Sequence, residues 1–74
     1  MNEWYYIVTM TDGKVLDFNK RCRRFGYFES NITIVEFYDY VGENGFKNRE
    51  ILAVIPAANI YAIERVEVMK GEKK

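Results

Sequence analysis

The sequence predicts an all-β protein, folded as a small, strongly curled antiparallel sheet or barrel of five strands. β-branched and aromatic residues gather in short runs, which is typical of strands. The runs are separated by turn residues, and the five glycines are placed as turn residues too. Because 49% of the residues are hydrophobic and 16% are aromatic, the composition indicates a folded chain rather than a disordered one.

The first two strands are predicted to form a hairpin. In "EWYYIVTM-TDGK-VLDFN" two strand-like runs flank Asp12-Gly13, a pair that readily accepts the positive φ angles of a type I′ turn. A two-residue turn at this position fixes the register. We expect it to pair Met10 with Val15, Thr9 with Leu16 and Ile7 with Phe18.

The third and fourth strands follow as "NITIVEFYDYV", residues 31–41, and "REILAVI", residues 49–55. Apolar residues occupy both faces of the third strand, so we expect it to be covered on both sides, as in a curled barrel or a subunit interface. "GENGFKN" between these strands is predicted to be a loop, with its turn at Asn44-Gly45.

Pro56 is predicted to end the fourth strand, because proline cannot donate a ladder hydrogen bond. "PAAN" is then long enough for one 3₁₀ turn, and "IYAIERVEV" is predicted to be the fifth strand. A C-terminal helix over residues 57–69 is the alternative, since Ile60 and Ile63 also fit a helical spacing. Residues 1–70 are expected to form a single β domain, and residues 71–74 a disordered polar tail.

A chain of 74 residues is near the size at which one hydrophobic core is barely sufficient. A single cysteine cannot form an intrachain disulfide, so we expect homo-oligomerisation to add stability. Cys22 is predicted to be a bystander thiol of a reducing compartment. No signal peptide or membrane-spanning run is visible, which predicts a cytoplasmic protein without a membrane partner.

Catalysis is not expected. The sequence has no histidine, which removes the usual general base and the commonest zinc ligand. It also has no glycine-rich phosphate loop, and one cysteine cannot form a cluster of thiolates. The sequence therefore predicts a non-enzymatic protein without a cofactor or metal.

The net charge of zero hides two segments of opposite charge. Residues 14–24 hold five basic residues and one acidic residue, whereas residues 25–46 hold four acidic residues and no basic one. Within the basic segment, "NKRCRRFGYF" places cations beside aromatic rings. Cations can pair with phosphates, and rings can stack on bases. The candidate ligand-binding residues are Lys20, Arg21, Arg23, Arg24, Phe25 and Tyr27.

Two alternatives remain open for these side chains. The phenylalanines could belong to the core, while the arginines pair with the acidic segment of the same chain or of a neighbouring chain. Tight non-specific DNA binding is not expected, because it requires a clearly basic domain.

A second candidate surface is aromatic. "WYY" places large rings on both faces of the first strand, and two tyrosines share a face of the third. Tryptophan and tyrosine are favoured at protein interfaces. The candidate interface residues are Trp4, Tyr38, Tyr40 and Phe46.

Several strings resemble known proteins. "FYDY" and "VIPAANI" resemble the aromatic signature and the proline turn of SH3 domains, although only fifteen residues separate Tyr40 from Pro56. The order of strands and turns is similar to that of Sm-like barrels, without their RNA-binding signature. "TDGKVLDF", "ITIVEFYD" and "ILAVIPAANIYAIERVEV" look like short β-rich proteins of phages and mobile elements. This resemblance implies a viral protein of the host cytoplasm that inhibits host machinery or sequesters a nucleotide immune signal.

Two functions follow as hypotheses. In the first, an oligomer captures a small anionic ligand, a nucleotide or a short nucleic acid, and so inhibits host defence. In the second, the chain is a protein–protein inhibitor or assembly module that acts on a host or defence protein through its aromatic surface, with no nucleotide.

Overall fold

The computed structural model of the chain describes residues 2–41 and 48–69, and these residues are all-β. Two 3₁₀ turns, Phe18–Lys20 and Ala57–Asn59, accompany six strands, and the described residues contain no α-helix that could cross a membrane. The predicted all-β class and antiparallel pairing are confirmed. The strands are β1 (Asn2–Met10), β2 (Val15–Leu16), β3 (Arg24–Phe28), β4 (Asn31–Val41), β5 (Asn48–Pro56) and β6 (Ile60–Met69).

The strands form two open three-stranded sheets. Sheet one has the order β2-β1-β6 and sheet two has the order β3-β4-β5. The described molecule measures 41 × 32 × 14 Å, which is flat rather than barrel-shaped. The prediction of one curled five-stranded sheet or barrel, SH3-like or Sm-like in outline, is wrong. The reason is that β1 has β2 and β6 as its neighbours, and β4 has β3 and β5, so neither central strand can join the two sheets.

The first hairpin exists, but its turn and register differ from the prediction. Three residues, 11–13, form the loop: the Gly13 amide donates to the Met10 carbonyl at 2.9 Å, and the Met10 amide donates to the Lys14 carbonyl at 2.7 Å. Gly13 has φ +95°, as expected where glycine ends a three-residue loop. The extra residue moves the register by one, so that Thr9 faces Val15 and Val8 faces Leu16. The predicted pairing of Ile7 with Phe18 is wrong because β2 ends at Leu16 and Phe18 begins a 3₁₀ turn.

β3 is a strand in addition to the five that the sequence predicts. It joins β4 through a tight turn at Glu29-Ser30, where both residues have positive φ angles of 46° and 67°. Glycine or asparagine normally marks such a turn. Neither stands at these positions, which is why the hairpin gave no recognisable signal.

The C-terminal half of the described chain follows the prediction closely. The third predicted strand coincides with β4, Pro56 precedes a 3₁₀ turn, and β6 follows at once. The helical alternative for residues 57–69 is wrong, because β6 pairs with β1 along its length, from Asn2 opposite Met69 to Met10 opposite Ile60. The loop prediction at residues 42–47 and the tail prediction at residues 71–74 lie outside the described residues.

The core is small for a chain of this length. Its buried apolar residues, among those described, are Val8, Cys22, Val35, Phe37 and Ile55. Nine of the described large apolar side chains are at least 36% exposed, and Ile32 of β4 is 70% exposed, so β4 is not covered on both sides along its length. The radius of gyration is 13.5 Å, against about 11 Å for a compact domain of 74 residues. The two sheets therefore leave much apolar surface outside.

Candidate functional site

The basic cluster begins in a left-handed turn. Phe18, Asn19 and Lys20 have φ angles of 54°, 55° and 63°, a conformation that residues other than glycine and asparagine rarely adopt. Two contacts hold it: the Phe18 ring stacks on Phe37 at a centroid distance of 5.4 Å, and the Asp17 carboxylate accepts from the Asn19 amide at 3.1 Å. Lys20 is exposed at the end of this turn.

The next two arginines of the cluster are paired with acids of the same chain. Arg21 forms an ion pair with Glu50, and Arg23 Nη1 lies 3.3 Å from Asp39 Oδ2. Asp39 and Glu50 face each other in the β4–β5 ladder. Two cations and two anions therefore form one neutral group. The Arg23–Asp39 pair is the intrachain alternative that the sequence left open, whereas Glu50, the partner of Arg21, lies outside the acidic segment of residues 25–46.

Arg24 lies on the opposite face of sheet two. Its guanidinium carbon is 5.6 Å from the centroid of the Tyr40 ring, and its Nη1 donates to the Arg23 carbonyl at 3.2 Å. Arg24 and Tyr38 face each other in the β3–β4 ladder. The predicted basic site is thus divided between the two faces of one sheet.

Phe25 and Tyr27 lie on the inner face of sheet two. The Phe25 ring centroid is 4.9 Å from that of Tyr6 and 6.0 Å from that of Phe37, so the ring contacts aromatic rings at the edge of the core, while Phe25 itself is 41% exposed. Tyr27 is 60% exposed. Beside them is a cleft of about 250 Å³, and none of the described residues that line it is basic. Its lining residues are Phe25, Gly26, Tyr27, Val35 and Ile63.

The predicted aromatic surface is brought together only in part. Tyr38 and Tyr40 of β4 make an edge-to-face contact with a centroid distance of 5.8 Å. Trp4 is in the other sheet, where it contacts Tyr6 at 5.4 Å and lies under the Arg65 guanidinium at 4.6 Å. Phe46 lies outside the described residues.

Tyr38 and Tyr40 belong to a larger surface, the outer face of sheet two, which is the face opposite Phe37. A register shift in the β4–β5 ladder leaves Leu52 without a partner in β4, so Ile51 faces Tyr38 and Val54 faces Glu36 on this same side. Ile51 and Val54 are 43% and 44% exposed. The outer face carries Arg24, Glu36, Tyr38, Tyr40, Arg49, Ile51 and Val54.

Arg49 contacts two other residues of this face. Its Nη1 donates to Glu36 Oε1 at 2.9 Å, and its guanidinium carbon is 4.7 Å from the centroid of the Tyr38 ring. Glu36 is only 3% exposed, so its carboxylate depends on this arginine for charge compensation. The face therefore presents apolar side chains beside tyrosines, each with a guanidinium next to its ring.

Sequence reasoning missed Arg49, Glu36, Ile51 and Val54 as members of this surface. Strand alternation alone could have grouped Arg49 with Ile51. It could not have added Val54, because Ile51 and Val54 are three residues apart and share a face only through the register shift.

Cys22 shows no sign of a reactive thiol. It is fully buried, and burial raises the pKa of its thiol above the ordinary value. Its Sγ donates to the Arg24 carbonyl at 3.3 Å. The part of the chain that the structure describes contains no group of three or more histidine, cysteine, aspartate or glutamate side chains placed to hold a metal ion.

No family model matches this chain, and neither a curated protein nor a solved structure is significantly similar to it.

Proposed function

We propose that this protein is a non-enzymatic binding module that contacts another protein through the outer face of sheet two. The observation that carries the proposal is the exposure of Ile51 and Val54 beside Tyr38, Tyr40 and two ring-stacked arginines. Aromatic residues and arginine are enriched at protein interfaces, and tyrosine and arginine dominate their binding energy. A partner that fits this face is apolar at its centre.

The charge of the outer face indicates a second property of the partner. Arg49 is compensated by Glu36, while Arg24 makes a ring contact with Tyr40 and a hydrogen bond to a backbone carbonyl. Among the described acids none pairs with Arg24, and its positive charge favours a partner with an acidic group beside its apolar patch. The resemblance to phage proteins would make a host or defence protein the partner, and this stays a prediction.

A pull-down with paired variants tests the proposal. The tagged chain is expected to retain a stoichiometric protein from the lysate of its natural cell, and Ile51→Lys with Val54→Lys is expected to abolish that retention. Val15→Lys, at a 58% exposed position of sheet one, is the matched control and should retain the partner. Circular dichroism confirms that all variants fold. Retention that survives the double substitution, or no retained protein at all, would contradict the proposal.

Capture of an anionic ligand is the second candidate. It is favoured by the exposure of Lys20, Arg21 and Arg24 at one end of sheet two. A phosphate that binds Arg21 must displace Glu50, and one that binds Arg23 must displace Asp39, which costs affinity. Titration calorimetry with mono-, di- and cyclic nucleotides tests it: heat that disappears in Arg21→Ala with Arg23→Ala supports ligand capture, and no heat from any nucleotide rejects it.

A further inference from the structure

The second edge of β6 is open. β6 pairs with β1 on one side, and no other described strand lies beside it. Its ten residues make it the longest edge strand of the described molecule, against nine for β5, five for β3 and two for β2. A long, regular edge presents unpaired amides and carbonyls to which another strand can add.

The ladder shows which backbone groups face that open edge. The Tyr6 amide donates to the Cys22 carbonyl at 2.8 Å, so the peptide groups of Tyr6 point away from β6. Arg65 is opposite Tyr6, and Glu67 is opposite Trp4, in the antiparallel ladder. These two pairs are therefore non-hydrogen-bonded pairs, which alternate with hydrogen-bonded pairs along an antiparallel ladder. In a non-hydrogen-bonded pair the peptide groups point away from the partner strand, so the amides and carbonyls of Arg65 and Glu67 point to the open edge.

The charges of β6 favour one register for antiparallel pairing of this strand with a second copy of itself. A two-fold axis perpendicular to the sheet places one residue opposite its own copy. An axis at Glu64, Arg65 or Glu67 would place identical charges opposite each other, which is unfavourable. An axis at Val66 instead places Arg65 opposite Glu67 of the second copy, and it does so twice by symmetry.

We propose that two copies of this chain associate through antiparallel pairing of β6, with the two-fold axis at Val66. Residues 63–69 of each copy would pair, and the outward peptide groups of Arg65 and Glu67 would form the central hydrogen bonds. Sheet one of the first copy and sheet one of the second then form a continuous six-stranded sheet with the order β2-β1-β6-β6-β1-β2.

The side chains are already placed for these contacts. Arg65 Nη2 lies 3.3 Å from Glu67 Oε2 of its own strand, so both charges occupy the same face. Their side chains are 50% and 54% exposed and can also reach across the edge. Val66 of each copy meets Val66 of the other on the opposite face, where an apolar pair adds to the ladder. This contact uses an edge of sheet one, so it is independent of the outer face of sheet two.

Sedimentation equilibrium of charge-reversal variants tests the proposal. The wild-type chain is expected to dimerise in a concentration-dependent manner. Arg65→Glu or Glu67→Arg places like charges opposite each other at two points, and each is expected to raise the dimer dissociation constant about tenfold or more. The double variant Arg65→Glu with Glu67→Arg restores opposite charges across the edge, and it is expected to recover most of the affinity.

Two controls keep the result specific. Lys14→Glu reverses a charge in the exposed first hairpin and should leave the dissociation constant unchanged. Ile51→Lys with Val54→Lys alters the outer face of sheet two and should also leave the dimer intact. The proposal is overturned by a chain that stays monomeric, by a dimer that the single reversals do not weaken, or by a double variant as weak as the single ones.

Discussion

At the scale of single residues, the buried carboxylate of Glu36 requires a compensating positive charge, which the exposed acids do not. It is 3% exposed and its described ion-pair partner is Arg49. Removing one partner of a buried pair leaves the other desolvated without compensation. Arg49→Ala is therefore expected to lower the free energy of unfolding by on the order of 1–3 kcal/mol, measured by urea denaturation.

Arg65→Ala is the matched control for that measurement. Arg65 also lies over an aromatic ring and pairs with an acid, but its partner Glu67 is 54% exposed. An exposed pair of this kind contributes less than about 1 kcal/mol. Equal losses in the two alanine variants, at a concentration where the chain is monomeric, would show that the burial of Glu36 has no energetic consequence.

Some of the site could be read from single residues, and some could not. Strand alternation over residues 24–27 is sufficient to place Phe25 and Tyr27 on one face and Arg24 on the other, as the ladder has them. The partner of Arg21 is Glu50, which is distant in sequence and lies beyond the acidic segment that the charge pattern had singled out. Such a pairing depends on how β5 aligns with β4, and composition carries no information on that alignment.

At the scale of elements, the Glu29-Ser30 turn is the clearest local conflict between sequence and conformation. Both residues have positive φ angles, which favour asparagine and glycine. Glu29→Asn with Ser30→Gly is expected to raise the free energy of unfolding by about 1 kcal/mol, because the substituted turn adopts these angles with less strain. Thermal and urea unfolding measure the change.

Gly13→Ala is the control for the turn experiment, and its expected effect on stability has the opposite sign. Gly13 has φ +95° and nothing within 4 Å of an added Cβ, so strain rather than a clash would account for its effect. We expect it to destabilise the chain while the Asn-Gly substitution stabilises it. A turn variant at residues 29–30 that is less stable than the wild type would contradict this reading of the hairpin.

The same turns explain which elements the sequence could predict. β4 and β6 were recognisable because their β-branched runs are long and Pro56 separates β5 from β6 by a short 3₁₀ turn. β3 was not, since its turn lacks the usual residues. The register of the first hairpin was also missed, because Asp12-Gly13 fits a two-residue turn as well as the three-residue loop that forms.

At the scale of the whole molecule, the flat shape and the small core belong together. A molecule 14 Å thick buries few side chains completely, and the described core holds five apolar residues. A chain of this size gains the missing burial most directly by association. Sequence composition predicted association, which stays a prediction, but the surfaces that we propose for it became visible only with the two-sheet topology and the register of β5.

The central claim is that this chain acts by association between protein surfaces rather than by holding a nucleotide. Native mass spectrometry of the chain, purified gently from its natural cell, tests this most directly, because it reports copies, protein partners and retained ligands together. We predict the mass of a dimer with a bound protein, and no nucleotide mass. A chain without a protein partner would contradict the proposed function, and a monomeric chain would contradict the pairing of β6. A chain that carries a nucleotide lost on Arg21→Ala with Arg23→Ala would contradict both the partner and the ligand prediction.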